Sequence, residues 1–106
     1  MHSFSLPECH TLRAAETLNV ADLSCLAEQV TDRLPFDADN ASRAGAAAAA
    51  LTAFARYTGL NTDGESAETV IVDFLTDLMH LCSETGMPLC EMLLSASRHW
   101  QVEQDA

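Results

Sequence analysis

Residues 66–86, SAETVIVDFLTDLMHLCSETG, constrain the fold more than any other stretch. They form the longest uninterrupted helical pattern and carry a run of large apolar side chains. On a wheel of about 100° per residue, Val70, Ile71, Phe74, Leu75, Leu78, Met79, Leu81 and Cys82 cover roughly half the circumference. A face that wide is suited to two or more neighbouring helices. Ser66 is placed to cap the helix, Glu68 favours its positive first turn, and Gly86 stops it.

The same helix carries a separate polar edge. Asp73, Asp77, His80 and Glu84 follow i, i+4, i+7, i+11 spacing and fall in one stripe about 60° wide. Three carboxylates and an imidazole in line make a candidate partner-binding surface. Asp73, Asp77 and His80 are also the candidate metal ligands, with oxygen donors suited to Mg²⁺ or Mn²⁺. The plainer reading, which the spacing favours over a metal site, is the solvated face of an amphipathic helix. His80 and Glu84 are then an ordinary i, i+4 surface pair.

The rest of the chain reads as further short helices. Ser5-Leu6-Pro7-Glu8 predicts a capped helix reaching about Thr17. Asn19 caps a second helix over residues 20–34, with Val20, Leu23, Ala27, Val30 and Leu34 on one stripe and Pro35 as its stop. Asp39 or Asn40 opens a third helix to about Thr58. Its alanine-rich centre puts Ala44, Ala47, Ala48, Leu51, Phe54 and Ala55 on one face, where small residues let a neighbour approach. Gly59 ends it, and residues 61–64 make a polar turn. After Met87-Pro88 a last helix runs to about Glu103, with Leu89, Leu93, Ala96 and Trp100 expected inside. No alternating strand pattern and no internal repeat occurs. The expected fold is therefore all-α, a compact bundle of four to five short helices in one domain of 106 residues, frayed at residues 1–4 and 104–106.

Charge narrows the functions. Sixteen Asp and Glu stand against five Arg, with no Lys, for a net charge of −11. Phosphate binding needs clustered cations, so direct nucleic-acid contact is disfavoured, as is an anionic membrane surface. No window is apolar enough to span a bilayer. A basic protein surface or a divalent cation suits the charge, though acidity also serves solubility alone. Cys9, Cys25, Cys82 and Cys90 form no C-x-x-C pair, and residues 1–15 do not read as a secretion signal. They are expected as reduced, mostly buried thiols of a cytoplasmic protein rather than as a zinc site. Phosphate loops, H-E-x-x-H and G-x-S-x-G are absent.

Residues 73–100, DFLTDLMHLCSETGMPLCEMLLSASRHW, resemble a pattern of small, uncharacterised helical proteins of bacterial mobile elements. There D-L-x-x-D-L-M-H leads through a glycine into a helix ending in His-aromatic, here His99-Trp100. The segment is also weakly similar to the second half of MazG-like all-α nucleotide pyrophosphohydrolases, which implies a tendency to dimerise through helices. Of that family's acidic ligands only Asp73 carries over. Val70 stands where the first residue of E-x-x-D belongs, and the chain has no Glu-Glu pair.

Three functions follow in order. The first is a non-enzymatic acidic interaction protein, such as a mobile-element inhibitor of the anti-CRISPR or DNA-mimic type, engaging the basic surface of a nucleic-acid-binding protein. The second is a metal-dependent nucleoside triphosphate pyrophosphohydrolase of the MazG type or a degenerate relative. The third is a structural helical homodimer with no cofactor.

Overall fold

The computed structural model describes residues 18–30, 34–35, 37–62 and 64–104. Within them the fold is an all-α bundle of four helices: α1 Val20–Ala27, α2 Asn40–Thr58, α3 Ala67–Thr85 and α4 Leu89–Gln104. The helix expected before Thr17, Cys9 and residues 1–4, where fraying was expected, lie outside the described residues, as do 105 and 106. Among the described residues the only β pairing is an isolated bridge between Asn19 and Ser66.

That bridge joins the starts of α1 and α3. Val20 N–H donates to Glu65 O at 2.9 Å, and Ala67 N–H donates to Leu18 O at 2.8 Å. Both entry residues are caps that bond locally, while the backbone of the residues flanking them ties the two helices together. Asn19 forms a full capping box with Asp22, and the Ser66 hydroxyl accepts from Thr69 N–H.

The core is small and lies where α1, α2 and the first half of α3 meet. Val20, Ala55 and Val70 form one buried cluster, and Leu23, Ala48 and Ala67 a second. Leu51 packs against both. Phe54 closes the wider side, meeting Phe74 edge-on with ring centroids 5.2 Å apart. Gly45 takes the tightest approach: a Cβ there would stand 2.7 Å from Val30 Cγ2 and 3.1 Å from Leu26 O. The alanine face therefore works as expected at Ala48 and Ala55, but Ala47 is exposed and Gly45 takes the inward position.

α2 and α3 have the expected boundaries. Asp39 caps α2, accepting from Ser42 N–H at 2.8 Å, and Gly59 and Gly86 close α2 and α3 in the left-handed conformation, at φ 78° and 73°. α1 does not. It stops at Ala27, well short of Pro35. Gln29 N–H and Val30 N–H donate to Leu26 O and Ala27 O, a three-residue step that tightens the chain out of the α-helix. Val30 is thereby turned onto Gly45 instead of continuing the stripe.

α1 and α2 make the broadest helix pair, α3 meets both more narrowly, and α4 packs extensively against none. The end of α4 touches the start of α2, where Asn40 Nδ2 donates to Glu103 O at 3.1 Å and Arg43 Nε stands 4.0 Å from Glu103 Oε2. No residue of α4 is buried. The expected inner positions Leu93, Ala96 and Trp100 are all exposed, and only Leu89 is half-buried. Their seam is real in the sequence, but it meets no partner within the described residues.

The cysteines depart from expectation too. Cys25 is disulfide-bonded, with its partner outside the described residues. Cys82 is a free buried thiol, and Cys90 is free but exposed. Among the described cysteines the reading of reduced thiols therefore holds at Cys82 and Cys90, and that of burial at Cys82.

Candidate interaction surface

α3 is the helix that positions every candidate site residue. Its buried line, Ala67, Val70 and Cys82, fixes which way the remaining side chains point. Asp73 is half-buried, while Asp77, His80 and Glu84 are exposed. All four lie on the same flank because their spacing follows the helical repeat. None of the four makes an ion pair or hydrogen bond with a described residue, so the expected His80–Glu84 pair does not form. Three carboxylates in line on one helix flank direct their field outward.

The stripe is not a convergent site. Asp73 belongs to an open cleft of about 470 Å³ between the end of α2 and the start of α3, lined also by Thr58, Leu60, Glu68, Thr69, Val72 and Thr76. Asp77 and His80 lie farther along the helix and do not line it. Two of the cleft's hydroxyls are already engaged within their own helices: Thr58 Oγ1 donates to Phe54 O at 3.2 Å, and Thr76 Oγ1 to Val72 O at 2.9 Å. Among the described residues no group of three or more His, Cys, Asp or Glu is gathered so as to hold a metal ion. The straight line is the reason. Ligands i, i+4 and i+7 on one helix advance about 1.5 Å per residue and need carboxylates from a second helix to close a coordination sphere. α2 faces α3 with alanine, leucine and phenylalanine instead.

No helix of the described residues is long and apolar enough to cross a membrane. No protein-family model, curated protein or solved structure matches the chain. Function therefore has to be argued from the surface itself.

The opposite flank of α3 is the apolar face whose width suited two or more neighbouring helices, and it is only partly covered. Ile71, Leu75 and Met79 step by four along it and are 39 %, 44 % and 58 % exposed. α4 adds Leu93, Leu94 and Trp100, each at least half exposed. The available signal was the width of the two apolar faces. Half the circumference of α3 and the seam of α4 demand more cover than one short α1 and one alanine-rich α2 provide.

Proposed function

We propose that the chain is a non-enzymatic interaction protein whose acidic α3 edge, Asp73, Asp77, His80 and Glu84, engages a basic protein surface. The observation that carries this reading is an unpaired stripe, exposed at Asp77, His80 and Glu84 and half-buried at Asp73, on a chain of net charge −11. Carboxylates spaced along a rigid helix can occupy positions that phosphates take on a nucleic-acid-binding protein, and the long-range field speeds encounter. The resemblance of residues 73–100 to proteins of bacterial mobile elements fits an inhibitor of the anti-CRISPR or DNA-mimic kind. A cytoplasmic location goes with it, and requires that the Cys25 disulfide persist in, or be dispensable to, a reducing compartment.

The test is binding of the full chain to a panel of purified basic nucleic-acid-binding proteins at low salt, with polylysine as the charge-only comparison. A true partner binds more tightly than polylysine. The combined Asp73→Asn, Asp77→Asn and Glu84→Gln variant should weaken that binding at least about tenfold, with helicity unchanged. Partner binding that ignores these three substitutions, or no binding beyond the polylysine level, sinks the reading.

A further inference from the structure

The geometry points to a second copy of this chain as the occupant of the exposed apolar face of α3 and α4, making a two-fold dimer built from both helices of each copy. This goes beyond the acidic edge, which lies on the other flank of α3.

Area is the first argument. Seven large apolar residues share this face, Ile71, Val72, Leu75 and Met79 on α3 and Met92, Leu93 and Trp100 on α4, and they are 39–59 % exposed. At roughly 150–200 Å² per side chain they leave on the order of 600 Å² of apolar surface, where a stable interface takes about 800 Å² from each partner, of which about 60 % is apolar. That is the top of the roughly 300–600 Å² range for the largest apolar patch of a monomer. One copy therefore presents what one half of a dimer requires.

Helix stability is the second. α4 is an amphipathic helix of 16 residues with none buried. A helix of about this length without tertiary packing is marginal in water. Leu89, Leu93, Ala96 and Trp100 are spaced 4, 3, 4, the seam of helices that pack side by side in pairs. Among the described residues α4 makes polar contact with α2 at Glu103 and no α4 residue is buried, so the seam is open to a copy of itself.

Charge placement is the third. In this acidic chain a self-contact has to leave the acids outside. On the helical wheel of α3, Asp73, Asp77 and Glu84 lie roughly opposite Leu75 and Met79. On α4, Glu91 and Arg98 point away from the Leu89–Trp100 seam. Glu68 falls on the Leu75 flank at the start of α3, and Glu103 on the seam side at the end of α4 beside Arg43, so these two stand at the rims of the contact while the other charges stay outside it, and a two-fold axis makes the same flank serve both copies.

The test is sedimentation of the full chain over a concentration series up to about 100 μM, where an interface of this area is populated. The expected mass is twice the 11.4 kDa of one chain. Trp100, the sole tryptophan and 59 % exposed in one copy, reports the same event from α4: its emission should shift to the red on dilution. Leu75→Glu and Leu93→Glu alter exposed positions and should each give a helical monomer with red-shifted Trp100 emission. Tyr57→Glu, at the 92 % exposed end of α2, should leave the dimer intact. A wild-type chain that stays monomeric overturns the inference. So does a dimer that survives both leucine variants, or one whose formation leaves Trp100 emission unchanged.

Discussion

Single residues at the α1–α2 contact decide how closely those helices sit. Gly45→Ala sets two effects against each other. Alanine gains about 1 kcal/mol in helix propensity. Its Cβ, however, would enter within 2.7 Å of Val30 Cγ2 and 3.1 Å of the Leu26 carbonyl, and overpacking costs about 1–3 kcal/mol. Because one of the two obstacles is backbone, the clash should win, with a net loss near 1 kcal/mol in urea unfolding. Asn19→Ala removes one side of the capping box and should cost about 0.5–2 kcal/mol by the same measurement. Asp39 gives a pH signature. The Ser42 backbone N–H, and then its hydroxyl, hold the Asp39 carboxyl below its usual 3.8. A carboxylate whose folded pKa is depressed stabilises fully above the unfolded value and loses that contribution as pH falls through the folded one. The stability difference between wild type and Asp39→Ala should thus be constant near neutral pH and shrink below pH 3.8. A difference that grows on acidification would contradict the cap.

At the scale of elements, α3 separates a structural face from an acidic edge, and substitution should read out that division. Phe74 is half-buried and edge-on to Phe54, so Phe74→Ala should cost about 2 kcal/mol, less than a fully buried phenylalanine. Asp77 is exposed and unpaired, so Asp77→Ala should stay within about 0.5 kcal/mol. Equal losses at both positions, measured by thermal unfolding, would show that the edge is not a free surface. These elements also show what a sequence can disclose. α2 and α3 were legible end to end because Asp39, Ser66, Gly59 and Gly86 act through local backbone geometry. The end of α1 was not, because Pro35 is a strong local stop while the actual exit depends on Val30 reaching Gly45, a contact 15 positions away. The seam of α4 was legible as a seam, but periodicity says only that a face is apolar, not whether its cover comes from the same chain. Asp73, Asp77, His80 and Glu84 were legible as one stripe because helical spacing alone aligns them. Whether a second helix would supply further ligands lay beyond spacing.

For the whole molecule, net charge sets a sign that separates the two proposed contacts. Two copies that associate bring together two chains of −11 each, so their mutual repulsion opposes the dimer. Raising salt from about 10 to about 100 mM shortens the screening length from roughly 30 Å to roughly 10 Å. α3 alone is about 28 Å long at 1.5 Å per residue, so at low salt every carboxylate along it feels the other copy, and at higher salt only its neighbours do. Apolar burial is left nearly untouched by this change. Self-association should therefore tighten as salt rises, with the dimer persisting to greater dilution in sedimentation. A contact between the acidic edge and a basic partner runs the other way, because there the field is attractive and screening removes it. The two salt series, run on the same preparation, assign each interaction to its own flank of α3. A dimer that weakens with salt would mean that the copies meet through charged groups, and that the apolar flank of α3 and α4 is not their interface.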